Sequence, residues 1–175
     1  MKKIAINFTG RRGGGAIVSL ETTKAFLLKG YEVSAIISSD IDNLEEWREL
    51  ELKKLVIINT YNSLLQFIFN TIFFSFRQKK IIINNLKDIG EIDFVYCPMG
   101  ASWSYRINKI IDRKYYIVNH DPIPHSGENL LFKIYRLVFN TNKIYKKAKA
   151  IIVHTKNLLI ILKKNIKMKT LYIFL

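Results

Sequence analysis

The 175-residue sequence has one cysteine, three prolines and three histidines. The single cysteine, Cys97, cannot form an internal disulfide or supply a zinc cluster, which excludes a disulfide-stapled miniprotein and fits a reducing compartment. No linker rich in serine, glycine and proline divides the chain, so no domain boundary is predicted. The length and an apolar fraction of 49% therefore favour a single folded domain over residues 1–175.

Long hydrophobic runs are also missing. The most apolar stretch, residues 64–76, is shorter than the ~20 residues that cross a bilayer, and Gln66, Asn70 and Thr71 interrupt it. We expect a buried or interfacial helix there. The apolar run after Met1 stops too early for a signal peptide and is typical of a first strand, so a cytoplasmic location is expected.

Acidic residues are absent from the last 47 positions. Residues 129–175 contain 11 Lys and Arg and no Asp or Glu, and so supply +11 of the net charge of +14. Within a predicted helix, four of these cations recur on one face, namely Lys133, Arg136, Lys143 and Lys147. This face is either a peripheral contact with an anionic membrane or a solvated surface. Nucleic acid is not expected, because no binding fold is recognisable and the aromatic residues lie within apolar runs.

Short apolar strands alternate with helices along the chain. Strands are predicted at residues 3–9, 31–38, 55–60, 92–97, 115–119, 150–154 and 170–175, with a short extra strand at 81–83. Helices are predicted at residues 16–29, 43–54, 61–79, 102–112, 128–147 and 156–164. Strands of nearly continuous apolar character are buried on both faces. The pattern predicts a Rossmann-like α/β domain, with a doubly wound, mostly parallel sheet and helices on both faces.

In such sheets ligands bind beyond the carboxyl ends of the strands, which singles out three loops. The first reads Gly-Arg-Arg-Gly-Gly-Gly and offers Arg12, Gly13, Gly14 and Gly15 as contacts to a phosphate or sugar. Glycines let backbone N–H groups approach an anion at a helix N-terminus, and arginine adds charge. The spacing matches neither the dinucleotide nor the P-loop motif. The alternative is a flexible strand-to-helix turn with solvated arginines.

A second loop follows the fifth predicted strand. It contains His120, then Asp121 and His125 as candidate substrate contacts, and Ser126 and Glu128 at the start of a helix. Capping explains Ser126 and Glu128, and an aspartate before proline is ordinary turn chemistry. His120, at the strand end, is the catalytic candidate, as a hydrogen-bond donor or general base. No metal site is expected, because no helix pairs these histidines.

The third loop follows the fourth predicted strand, residues 92–97. Its Gly100 would allow a ligand to approach closely, and Trp103 would either stack on that ligand or fill the core. A lone Cys97 without a base beside it is more typical of a buried small hydrophobe than of a nucleophile.

With these loops in place, the chain resembles the N-terminal domain of a family 4, GT-B-type glycosyltransferase. Four features, spread over nearly the whole chain, carry the resemblance. They are the strand Ile4–Thr9 running into Gly13-Gly14-Gly15 and a helix closed by Gly30-Tyr-Glu-Val33, the strand ending at Tyr96-Cys-Pro-Met99, the strand entering His120-Asp121-Pro122, and the segment Ala148–Thr155.

The resemblance implies a function. Such enzymes bind a nucleotide-sugar donor between two Rossmann-like domains and transfer the sugar with retention, usually without a metal or other cofactor. Gly13–Gly15 would lie near the donor phosphates, and His120 would face the transferred sugar. A glycan or lipid-linked acceptor in cell-surface polysaccharide synthesis is the implied partner.

The sequence departs from the family in one respect. The C-terminal domain that supplies most of the nucleotide pocket in the family is not found within these residues. We therefore expect a fragment, a truncated product or half of a split enzyme, without transferase activity alone. Two alternatives stay open. One is a non-catalytic partner subunit or remnant; the other is a dinucleotide-binding module in which Asp40 holds a ribose, although the glycine spacing disfavours it.

Overall fold

A computed structural model of the chain describes residues 1–120, 142–158, 160 and 171–174. Within these residues seven strands form one sheet. They are β1 Lys3–Phe8, β2 Glu32–Ser38, β3 Lys54–Ile58, β4 Phe94–Cys97, β5 Tyr115–Val118, β6 Ala150–Val153 and β7 Leu171–Phe174. Their order is β3-β2-β1-β4-β5-β6-β7, and every neighbouring pair is parallel. This confirms the Rossmann-like, parallel α/β class.

Helices cover both faces of the sheet. They are α1 Gly14–Leu28, α2 Leu44–Glu49, α3 Leu64–Ile72, α4 Gln78–Ile89, α5 Ser104–Ile111 and α6 Asn142–Lys147, with a 3-10 turn at Phe73–Ser75 after α3. One core layer joins α1 and α2 to the sheet, and a second layer joins α3, α4, α5 and α6 to its other face.

Alternate side chains of each strand enter the two layers, as β1 shows. Ile4, Ile6 and Phe8 pack on the α1 side, while Ala5 packs on the α5 side. The chain runs from β1 outward to β3 and then returns to β4 on the opposite side of β1. This reversal opens a crevice between the carboxyl ends of β1 and β4, where doubly wound sheets bind ligands.

Two secondary-structure predictions between β3 and β4 are wrong. Residues 81–83 belong to helix α4 and not to a short strand. Gln78, Ile82 and Ile89 are buried at helical spacing, whereas Ile81 and Ile83, which would share a face of a strand, are both exposed. The helix predicted over residues 61–79 is divided into α3, the 3-10 turn and the start of α4.

Some sequence predictions lie outside the described residues. These are the helix at 128–147 before α6, most of the helix at 156–164, and the side chains of Asp121, His125, Lys133 and Arg136. In α6, Lys143 and Lys147 are exposed while Ile144 is buried, as an amphipathic helix requires. In the described part of the chain, no helix combines the length and the apolar character needed to cross a membrane.

Candidate functional site

A cavity of about 290 Å³ lies at the carboxyl ends of β1 and β4. Three residues predicted from the sequence line it, namely Arg12, Gly15 and Gly100. The remaining described lining is largely aromatic or small, and comprises Phe8, Thr9, Gly10, Tyr61, Met99, Ala101, Ser102, Tyr105, Ile144 and Tyr145. The cavity therefore joins two of the three loops that the sequence singled out.

The three consecutive glycines before and within α1 differ in their surroundings. Gly13 has a φ of 74° and a ψ of −157°, a backbone region that is essentially restricted to glycine. A Cβ atom on Gly15 would lie 3.0 Å from Met99 Sδ and 3.0 Å from Phe8 Cζ, so a larger residue there would have to displace these side chains. A Cβ atom on Gly14 would meet nothing within 4 Å. Packing therefore does not explain Gly14.

The N-terminus of α1 is partly occupied by a carboxylate. The Gly13 N–H donates to Asp42 Oδ2 at 3.3 Å, and the Asp42 N–H donates to the Arg11 carbonyl at 2.9 Å. Among the described residues, no acceptor meets the N–H of Gly14 or Gly15. The helix thus offers two free donors beside an aspartate that already lies where an anion would bind.

The two arginines of this loop have different surroundings. The Arg11 guanidinium lies 4.3 Å from the centre of the Tyr61 ring and donates to the Tyr61 carbonyl, which ties the loop to the end of β3. The Arg12 side chain is 80% exposed, and among the described residues it forms an ion pair with Asp42, at 3.9 Å. A weak, solvated pair of this kind is easily exchanged for another anion. Arg12 is therefore the arginine available to a ligand.

The glycines give a stability series that calorimetry or urea unfolding can measure. Gly13→Ala is expected to lower the free energy of unfolding by ~1–3 kcal/mol, because alanine is strained at that backbone conformation. Gly14→Ala is expected to raise it by at most about 1 kcal/mol, because alanine favours the helix and meets open space. Equal losses in the two variants would contradict the geometry of this turn.

His120 lies at the end of β5 and not in the cavity wall. Its Nε2 lies 3.0 Å from the Pro98 carbonyl oxygen, so this nitrogen donates. The centre of its ring is 5.0 Å from that of His154, which follows β6. His120 is not among the described residues that line the cavity. It contacts Pro98, and the four residues that follow Pro98 line the cavity.

The space above Gly100 is filled by a side chain from α6. A Cβ atom on Gly100 would lie 3.0 Å from the Tyr145 hydroxyl oxygen, and Tyr145 also lines the cavity. The glycine therefore allows the close approach of a tyrosine that is part of the cavity lining.

Trp103 and Cys97 belong to the core. Trp103 is buried, lies parallel to the Phe67 ring at 6.0 Å and donates from Nε1 to Thr71 Oγ1 at 3.1 Å. Cys97 is fully buried, and this burial raises the pKa of its thiol to about 12. The core interpretation of both residues is confirmed, and Cys97 has none of the thiolate character that a nucleophile needs.

Sequence reasoning missed Asp42, Tyr61 and Tyr145. Asp42 and Tyr61 follow β2 and β3, so the rule that ligands bind beyond strand ends would have found both. Tyr145 lies within a helix, and no local signal in the sequence places it at the cavity.

A metal ion and a ribose are two further candidate ligands. The described residues contain no group of three or more His, Cys, Asp or Glu side chains that could hold a metal ion. The carboxylate of Asp40, proposed to bind a ribose in a dinucleotide module, accepts from Ser39 Oγ at 3.0 Å and from Thr60 Oγ1 at 3.4 Å. Asp40 therefore serves the turn after β2.

No family model and no curated protein matches the sequence. Solved structures share its fold. MurG of Acinetobacter baumannii is 13% identical over 89% of this chain and 42% of its own, with a TM-score of 0.59. UGT2 of Phytolacca americana, complexed with UDP-2-fluoro-glucose and pterostilbene, is 11% identical over 98% of this chain and 53% of its own, with a TM-score of 0.61. UGT89C1 of Arabidopsis thaliana, complexed with UDP, is 9% identical over 100% of this chain and 49% of its own, with a TM-score of 0.59.

The chain spans about half the length of these structures. At such low identities the likeness concerns the fold alone. The chain has a glycosyltransferase-like Rossmann fold.

Proposed function

We propose that the chain is the N-terminal half of a retaining, family 4 glycosyltransferase that uses a nucleotide-sugar donor and a glycan or lipid-linked acceptor. The observation that carries the proposal is the cavity between β1 and β4, bordered by the open N-terminus of α1 and by the exposed Arg12. The likeness to UDP-bound structures supports it.

The chemistry of sugar transfer requires donors aimed at a departing diphosphate, where negative charge develops. The N–H groups of Gly14 and Gly15 and the guanidinium of Arg12 are donors of this kind at one edge of the cavity. Asp42 opposes them, because its carboxylate competes for Arg12 and for the Gly13 N–H. A diphosphate would take over these contacts, so Asp42 would weaken donor binding.

The proposed role of His120 is to face the transferred sugar. Its bond to the Pro98 carbonyl would hold the ring beside the loop that lines the cavity. Because the chain spans about half the length of its structural neighbours, we propose that a second α/β domain supplies the rest of the nucleotide pocket. On this proposal the 175-residue chain binds the donor weakly and does not turn it over.

Saturation-transfer NMR of the full chain with UDP-glucose, UDP and NAD tests the proposal. We expect weak, saturable binding of UDP-glucose, weakened several-fold in Arg12→Gln and strengthened several-fold in Asp42→Asn, because the two changes alter the local charge in opposite directions. Lys29→Gln, an exposed change elsewhere, is the control.

Three outcomes would contradict the proposal. Preferential binding of NAD would favour a dinucleotide module. Binding of neither UDP-glucose nor NAD would favour a non-catalytic subunit. Sugar transfer by the chain without a second protein would overturn the need for a second domain.

A further inference from the structure

Helix α3 and the turn after it present apolar side chains to solvent. Six of them recur at helical spacing and form what we call the α3 face. They are Leu65 at 80% exposed, Ile68 at 45%, Phe69 at 47%, Ile72 at 66%, Phe73 at 38% and Phe76 at 76%. A contiguous apolar surface that includes three phenylalanines marks an interaction site.

The opposite side of α3 is buried although it carries two polar residues. Asn70 and Thr71 are 4% and 8% exposed. Thr71 accepts from Trp103 Nε1 at 3.1 Å through its hydroxyl and from Arg106 at 2.8 Å through its carbonyl, while Asn70 donates to the Thr60 carbonyl. These bonds fix the rotation of the helix, so the α3 face is directed outward by specific contacts.

Basic and neutral polar groups border the α3 face. Residues 52–87 contain six Lys and Arg and no Asp or Glu. The Arg77 guanidinium lies 5.5 Å from the centre of the Phe69 ring. A cavity of about 470 Å³ lies beside Phe76, and Arg77, Lys80 and the amides of Asn59, Asn70, Gln78 and Asn84 line it together with Ile81.

We propose that the α3 face docks onto an anionic phospholipid bilayer. The phenylalanines, leucine and isoleucines would enter the boundary between headgroups and acyl chains, as the apolar face of an interfacial helix does. Arg77 and Lys80 would bind lipid phosphates in the adjoining cavity, whose described lining contains no acidic residue. Charge complementarity therefore favours a lipid surface over an uncharged protein partner.

The α3 face lies beside the candidate site. The proposal that this face binds a bilayer does not depend on sugar transfer. Tyr61 lines the β1–β4 cavity, and its ring contacts the Phe67 ring of α3 edge-on at 4.6 Å. Docking through the α3 face would therefore place that cavity close to the bilayer surface. On this proposal the membrane contact lies on α3 and not on the basic helix expected at residues 128–147.

Cosedimentation of the full chain with vesicles tests the proposal. One set is phosphatidylcholine alone, and the other is phosphatidylcholine and phosphatidylglycerol in equal parts. We expect binding mainly to the anionic vesicles, loss of binding in Phe69→Ser/Phe73→Ser/Phe76→Ser, and a roughly 10- to 30-fold loss in Arg77→Gln/Lys80→Gln. Because all five side chains are exposed, the melting temperature should not fall.

The controls remove matched groups elsewhere on the surface. Leu28→Ser deletes an apolar side chain that is 88% exposed, and Lys2→Gln/Lys29→Gln removes two exposed charges; neither should change vesicle binding. The proposal fails if the wild-type chain ignores anionic vesicles or if the triple serine variant binds them normally. It also fails if Lys133→Gln/Arg136→Gln/Lys143→Gln/Lys147→Gln abolishes binding while the triple serine variant retains it. A lipid-insensitive dimer that the triple serine variant dissociates would assign the face to a second copy and overturn the proposal.

Discussion

Replacing Trp103 with alanine is expected to lower the free energy of unfolding by ~3–5 kcal/mol, the usual cost of deleting a fully buried tryptophan. The side chain stacks on Phe67 at 6.0 Å and lies 5.5 Å from Phe74, so it joins α3 and the following turn to the core. Urea unfolding monitored by circular dichroism measures the loss. A loss below about 1 kcal/mol would contradict the core assignment.

Trp103→Phe is the matched variant. It keeps an aromatic ring but removes the hydrogen bond from Nε1 to Thr71 Oγ1, so a loss smaller than that of the alanine variant is expected, although the smaller ring also leaves a cavity. Trp103→Ala should also increase proteolysis between residues 64 and 77, because α3 would lose the ring that stacks on Phe67 and the donor to Thr71.

The second large effect is a loss of stability at alkaline pH. Burial raises the pKa of Cys97 from 9.0 to about 12 and that of Tyr96 from 10.0 to about 12. A group whose pKa is raised by folding stabilises the protein below its unfolded pKa, and this contribution is lost as the pH rises toward the folded pKa. The free energy of unfolding should therefore fall above about pH 9, by roughly 1.4 kcal/mol per pH unit for Cys97.

Cys97→Ala identifies the thiol as the cause. Between pH 8.5 and 9.5, below the unfolded pKa of 10.0 of Tyr96 and of Tyr115, whose pKa burial also raises, the variant should lose most of the slope. An identical pH dependence in the variant and the wild type would show that Cys97 does not titrate on unfolding. Urea unfolding over this pH range is the measurement.

Much of the fold could be predicted from local patterns. The β1-α1-β2 unit is marked by two apolar runs, a glycine turn and Gly30 at φ 76° after the helix. Nearly continuous apolar strands implied burial on both faces, and the sheet is indeed covered on both sides. The rule that ligands bind beyond strand ends led to Arg12, Gly15 and Gly100, which line one cavity.

The features that could not be predicted from the sequence depend on contacts between separate segments of the chain. In α3, periodicity distinguishes two faces but cannot tell which is buried, and the more apolar one would have been chosen. The structure buries Asn70 and Thr71 instead, because Thr60 and Trp103, distant in sequence, supply their hydrogen-bond partners. Asp42 reaches the Gly13 N–H across 29 positions for a similar reason.

Amide NMR mapping of UDP-glucose binding to the full chain tests the central claim most directly. We expect the largest shifts at Gly13, Gly14 and Gly15 and at residues 100–102, where the cavity lies at the carboxyl ends of β1 and β4. Amides at the opposite edge, such as Lys2 and Glu32, should not move. Shifts confined to that opposite edge, or none with any nucleotide sugar, would contradict that claim.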